Sequence, residues 1–441
     1  MIPNNSKKIQ ICFLLAAQLL VLFSCALYID IDRDKQLDNI SHKKDAKKTG
    51  NNKSYYEFVL AGHDHQDSVS RPIEKIKKLK LGFIEKAVLF SLLNMNLNPH
   101  LVTPSSNLYI LINYKEQKYF SFSMDSSHDN SKHEHWPFLY GLESILKQYS
   151  SRYSLENLAS MLDKHLPMNI PIGSSLATYI DSHAEQLNKY PIFKKNFFKA
   201  EHPIRKGESI HKLNFTNIIR QYRKIKKTVK NNTPTINSRM FPYSPANISS
   251  KNISIKCNHD FNPYQKSIYL ISQKERQNLP FGHQDKNGNS FLAITTHNID
   301  TPKPLKNSFL IQGTSESNKD SLALCFVNNN SRKSQISIIS TKGRDPGQYL
   351  HHLILYGIQD TRTLLELDEF IRFPRHLFLL NPVRMIYESS RGTKKQLDKF
   401  LAMNFPIYHG HSLGNIWAHA SFHDKNISGF VVDERTPACL E

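Results

Sequence analysis

The sequence predicts an α+β protein of two domains, on three observations. Helical periodicity dominates residues 55–230, short strand-length apolar runs cluster after residue 263, and an Asn/Ser/Pro-rich stretch at 231–262 lies between them. The expected plan is an N-terminal mixed helical domain at 55–230 and, at 263–441, a C-terminal antiparallel sheet followed by helices. With 441 residues, 39% of them hydrophobic, the chain can bury real cores. The same composition excludes collagen, a coiled coil, a multispan membrane protein and a wholly disordered chain. A formal charge of +20 implies attraction to polyanions without identifying one.

The elements follow in order. Ser70 and Pro72 suit a helix start, and Ile73, Ile76, Leu79, Phe83, Ile84, Ala87 and Val88 continue it at helical spacing. Asn107–Tyr114 and Lys118–Met124 flank a short polar turn, the pattern of a β-hairpin. Helical patterns recur at about 138–149, 154–165 and 174–189. Beyond the linker, strands are expected at Ser267–Ile271, Phe291–Thr295, Phe309–Gln312, Leu322–Val327 and Gln335–Ser340. A helix then opens at Asp345 and Pro346, suited to the N-cap and first turn, and stops at Gly357. Thr363 with Glu366, and Thr393 with Gln396, read as capping boxes.

The N-terminus reads as an export segment, residues 1–29. Lys7 and Lys8 precede an apolar run from Ile9 to Ile29, and Asp30, Asp32 and Asp34 follow it. Leu22-Phe23-Ser24-Cys25 resembles a bacterial lipobox, which implies acylation (palmitate) at Cys25. An uncleaved anchor and an ordinary signal-peptide cleavage site are the two other readings. Each places the bulk of the chain outside the cytoplasm, in the cell envelope or periplasm. Residues 30–54 are polar and read as a flexible tether. Of the five cysteines, Cys12 and Cys25 fall in the export segment, leaving Cys257, Cys325 and Cys439, room for one disulfide whose pairing the spacing does not fix.

Residues 199–230 carry ten Lys or Arg against two Glu. Phe215, Ile218, Ile219, Tyr222, Ile225 and Val229 make one apolar stripe, with Arg220, Arg223, Lys224, Lys226, Lys227 and Lys230 between them. This is a basic amphipathic helix able to meet an anionic surface. Upstream, Ile204-Arg205-Lys206-Gly207-Glu208-Ser209-Ile210-His211-Lys212-Leu213 resembles the opening of a LysM module, which implies peptidoglycan as a partner. Lys342 and Arg344, before the helix at 346, are a second candidate anion site. His409, His411, His419 and His423 form the densest histidine group and are candidate ligands for zinc or another transition metal. No Gly-x-Ser-x-Gly elbow or His-Glu-x-x-His helix occurs. The leading expectation is a non-catalytic, membrane-tethered envelope protein without a cofactor. Its partner would be anionic lipid, peptidoglycan or another envelope protein, with nucleic acid an improbable one. The competing expectation is an exported hydrolase or metal-dependent enzyme using the histidine cluster.

Overall fold

The computed structural model describes residues 56–63, 70–123, 136–228, 235–237, 241–243, 252–258, 277–305, 308–314, 322–341, 345–380, 383–392, 394–402, 404, 406–410, 413–435 and 438–440. They fall into two compact units. Residues 373–413 make the smaller, and the remaining described residues make the larger.

The larger unit starts with strand β1 (Phe58–Ala61). The helix expected from Ser70 is two helices, α1 (Ser70–Lys77) and α2 (Phe83–Leu97). The break falls at Gly82, which takes an extended conformation as the N-cap of α2. Thirteen of the fifteen α2 residues are buried, so α2 is a central helix rather than an amphipathic surface one. The hairpin β2 (Asn107–Tyr114) and β3 (Glu116–Ser123) turns at Lys115, with φ 62°. Helix α3 (Pro137–Gln148) lies against it so closely at Gly141 that a Cβ there would sit 2.7 Å from the Phe122 ring. Helix α4 (Leu155–His165) is capped reciprocally by Ser154 and Asn157.

Next come β4 (Asn169–Pro171), α5 (Ser174–Ser182), α6 (Ala184–Leu187), α7 (Pro191–Phe197), β5 (Phe198–Lys199), β6 (His202–Pro203) and β7 (Ser209–His211). Helix α8 (Phe215–Thr228) is the basic amphipathic helix, and it buries Phe215, Ile218, Ile219 and Tyr222 in the core. Then follow β8 (Thr235–Asn237), β9 (Phe241–Tyr243), β10 (Ile253–Cys257), β11 (Gln277–Gln284), β12 (Ser290–Pro304), β13 (Ile311–Thr314), β14 (Leu322–Asn329) and β15 (Ser334–Thr341). Helix α9 (Pro346–Leu355) has the expected cap, Asp345 Oδ1 accepting from the Gln348 amide at 3.0 Å, and Gly357 closes it at φ 94°. Helix α10 (Leu364–Arg372) starts where Thr363 Oγ1 accepts from the Glu366 amide at 3.1 Å.

In the smaller unit, β16 (His376–Leu380) pairs antiparallel with β17 (Val383–Glu388). After α11 (Lys394–Leu401), β18 (Ile407–Gly410) pairs parallel with β17. The buried Glu388 carboxylate ties this unit together, accepting from the amides of Arg375 at 3.0 Å and Leu413 at 3.2 Å. The chain then adds β19 (Asn415–Phe422), β20 (Ile427–Val432) and β21 (Ala438–Leu440) to the larger unit.

Two antiparallel sheets make the larger unit. The first runs β21-β1-β11-β12-β2-β3-β8, with β13 beside β12, and the second runs β20-β19-β15-β14-β10-β9. Helices α2 and α3 cover the first sheet and α9 and α10 the second, giving four layers within an α+β class. Pleating assigns the faces. Phe281 and His283 of β11 meet Phe90, Phe58 and Phe83 on the helix side. The alternate Asn278, Gly282 and Gln284 face the second sheet, where Phe430 lies over Gly282 so closely that a Cβ would come within 2.7 Å. Between the sheets, Leu324, Phe326, Ile339, Trp417 and Phe430 join the common core. Polar pairs frame it: Asn113–Gln335 at 2.9 Å, Gln117–Asn328 at 2.9 Å, Gln284–His419 at 3.0 Å and Asn278–Thr341 at 3.1 Å.

The expected division at 231–262 is not where the chain divides. Strand β2 pairs along its length with β12, and β1 with β11, so both halves contribute to one sheet. Strand β2 is buried at six of its eight positions, and a strand buried on both faces needs a backbone partner on each edge. Nor do helices simply follow the C-terminal strands, since α9 and α10 come between β15 and β19.

Cys257 and Cys325 are register partners on β10 and β14 and form a disulfide, with the buried Cys439 outside that bridge. The bridge closes 68 residues of sequence, worth about 4 kcal/mol on the loop-entropy account. Replacing both cysteines by serine should therefore lower the melting temperature by several degrees while keeping the far-ultraviolet spectrum. An unchanged melting temperature would show that the bridge adds nothing.

Candidate active site

The site is assembled where three segments converge. The chain leaves β1 through Gly62, whose φ of 80° favours glycine, and α2 ends at Asn98, two residues before His100. Helix α5 brings Ser175 to the same point, where its amide donates to the Gly62 carbonyl at 3.3 Å. The Ser175 hydroxyl lies 3.0 Å from His100 Nε2. His63 Nε2 bonds Asn98 Oδ1 at 3.2 Å, and its ring lies over Gly173 so closely that a Cβ there would meet Nδ1 at 2.2 Å. Close packing thus demands glycine at position 173 as left-handed geometry favours it at 62.

His100 is 2% exposed. Burial first, then the neighbouring His63, His297 and His183, hold its pKa well below the ordinary imidazole value. Its ring lies 5.0 Å from that of Tyr179, which in turn stacks on His183 at 4.2 Å. Behind it, His297 Nδ1 bonds the Ser106 hydroxyl at 3.3 Å and Nε2 donates to the Ile311 carbonyl at 3.2 Å. His100 Nδ1 is buried with no partner among the described residues. A neutral imidazole that takes the serine proton at Nε2 carries its own hydrogen at Nδ1. Ser175 is half-buried and sits in the first turn of α5, where the helix field favours a developing negative charge. Nucleophile, neutral base and a positive field are therefore present together.

A second polar constellation lies at one end of the space between the sheets. Asn278, Thr296 and Asn107 are direct cross-strand partners on β11, β12 and β2, opposite Thr341 and Asn415 on the second sheet. All five are buried. It offers two threonine hydroxyls, yet among the described residues no titratable side chain hydrogen-bonds either. His297 follows Thr296 on β12 and faces the Ser175 side, placing both constellations at the same end of the first sheet.

The residues singled out from sequence have other roles or lie elsewhere. Cys25, Lys230, Lys342, Arg344 and His411 fall outside the described residues. On α8, Arg220 and Arg223 pair with Glu156, and Lys226 with Glu143, while Lys224 and Lys227 are exposed. Burial alone would raise the Glu143 carboxyl, but bonds from Lys226 and Tyr222 hold it below its usual value. Much of the basic face of this helix is therefore spent on its own neighbours. His419 is buried, bonded to Gln284, and pushed by burial down to about 3. His423 is exposed in the turn after β19, and His409 lies on β18 of the smaller unit. Among the described residues no group of three or more His, Cys, Asp or Glu could hold a metal. The histidines that do converge are His63, His100, His183 and His297. They come from four segments and left no local pattern to read.

The fold has solved counterparts. LmbA2991 superposes with a TM-score of 0.61 at 9% identity, over 90% of this chain and all of that one. A cephalosporin acylase from Bacillus halodurans gives 0.58 at 9% identity, over 90% of this chain and 98% of that one. No family model matches the sequence, and no curated protein does. The fold is thus one that an acylase uses, and this counts against the expectation of a non-catalytic envelope protein.

The buried histidines set a pH dependence. Burial lowers His419 to about 3 and His297 to about 4, against roughly 6.5 in an unfolded chain. Between those limits the unfolded chain binds protons that the fold refuses, so stability falls as pH drops from about 6.5. The melting temperature should decline steadily from pH 7 to pH 5. A flat profile would mean that these imidazoles are not desolvated as described.

Proposed function

We propose that the chain is an exported hydrolase that cleaves acyl bonds, with Ser175 as nucleophile and His100 as general base. The observation that carries this reading is the 3.0 Å contact between Ser175 Oγ and a buried neutral His100. The fold it shares with an acylase supports the reaction class. Ser175 Oγ attacks the carbonyl carbon as its proton passes to His100 Nε2, and the carbonyl oxygen takes up negative charge near the first turn of α5. The imidazolium then gives the proton to the departing amine or alcohol, leaving an acyl-serine. Water, deprotonated by the same Nε2, releases the acid and restores the serine.

The reading needs no metal or cofactor. Export rests on the apolar segment Ile9–Ile29, and a disulfide between Cys257 and Cys325 suits an oxidising compartment. Acylation at Cys25 or retention of the segment would tether the enzyme to a membrane.

A fluorophosphonate probe should label the intact chain at Ser175, and Ser175→Ala should abolish labelling without lowering the melting temperature. Turnover of an acyl-amide substrate should fall by roughly a thousandfold or more in Ser175→Ala and in His100→Gln. Because the pKa of His100 lies below the ordinary value, activity should persist as pH drops past about 6.5, and the acid limb should appear only below it. Labelling at another residue would remove Ser175 from the mechanism.

A further inference from the structure

Helix α1 presents a cationic ridge that the hydrolase reading does not use. Arg71, Lys75 and Lys78 follow at intervals of four and three, so they share one helix face. Lys78 belongs to that face although α1 ends at Lys77, because its amide still donates to the Glu74 carbonyl at 3.2 Å. The opposite face, Pro72, Ile73 and Ile76, is buried. The helix is thus held by one side with its cations turned outward.

Arg71, Lys75, Lys78 and Lys80 are all exposed, and none has an ion pair among the described residues. Residues 70–82 carry five Lys or Arg against one acid, Glu74. Helix α8 differs, since Arg223 and Lys226 are spent on Glu156 and Glu143. The exposed side chains of α1 are charged rather than apolar, which suits lipid headgroups rather than acyl chains. Position adds a second argument. On the export reading, Ile9–Ile29 enters a bilayer and residues 30–54 tether the body to it. A flexible chain of that length spans roughly 25–30 Å, so α1 meets the bilayer surface at an effective concentration on the order of millimolar. Even a weak contact is then occupied, and each cation beside an anionic leaflet strengthens it about fivefold.

We propose that α1 lays this ridge on the anionic phospholipid headgroups of the membrane that holds the N-terminal segment, docking the enzyme body on the bilayer. The contact rests on the membrane tether proposed above and not on Ser175. The full chain is mixed with vesicles of phosphatidylcholine alone, or with about 30% phosphatidylglycerol, and its lysines are acetylated in a brief pulse read by mass spectrometry. On the anionic vesicles Lys75, Lys78 and Lys80 should react roughly threefold more slowly or less, while Lys224 and Lys227 of α8 keep their rates. About 0.5 M salt should restore full reactivity. Lys75→Gln combined with Lys78→Gln should cost Lys80 most of its protection at unchanged melting temperature. Flotation with both vesicles while the three lysines react alike on each overturns the contact and leaves the tether standing. Flotation with the anionic vesicles alone, with the three lysines protected, keeps the contact and removes the tether. Equal protection by soluble polyphosphate would make α1 a general polyanion surface and overturn the proposal, as would protection that falls on α8 instead.

Discussion

The pairing of β12 with β2 is the contact on which the larger unit depends. Seven consecutive residue pairs, from Ser290–Asn113 to Thr296–Asn107, join strands that are 177 or more residues apart in sequence. That ladder carries β11 and β1 on one side and β3 and β8 on the other. Without it, β2 and β12 would each expose an unpaired edge within a buried layer, a cost far above that of any surface ion pair described here. The register also decides which side chains face the second sheet, since a one-residue slip of β2 against β12 would turn Asn113 away from Gln335.

The candidate active site is a by-product of that geometry. Strand β1 is held by β11, and its end at Gly62 receives the α5 helix start, while α2 lies across the same sheet and delivers His100 from its C-terminus. Burial then does two things at once. It keeps the imidazole neutral, and it encloses Nδ1. The same desolvation acts on both rings, but His419 is bonded to the amide of Gln284, whereas His100 faces a half-buried hydroxyl and so suits the proposed role of base.

Local signals were legible in the sequence where they arise from neighbours in the chain. The hairpin at Asn107–Ser123, the Asp345 cap, the Gly357 stop and the apolar stripe of α8 all depend on residues within a few positions of one another. What sequence could not show was long-range pairing. Strand β11 reads Gln-Asn-Leu-Pro-Phe-Gly-His-Gln, with proline and glycine that argue against a central strand. Gly282 is tolerated there because Phe430 fills the space its side chain would need. The Asn/Ser/Pro-rich stretch marks no division of the sheet, because composition reports turn content, whereas β8, β9 and β10 gain their strand character from partners elsewhere. Ser175 and His100 stand 75 residues apart, and neither lies in a motif that chemistry would flag. His409, His411, His419 and His423 are dense in sequence, and density is no guide to which rings share a space.

Native-state hydrogen exchange across the β2–β12 ladder tests the central claim, that both halves of the chain form one cooperative sheet. Amides of Leu108–Ile112 and Phe291–Thr295 should exchange with the same free energy of opening, equal to that of global unfolding, and respond identically to denaturant. Protection of Leu108–Ile112 that survives after Phe291–Thr295 has exchanged would show two independent domains, and would contradict the architecture on which the site is built.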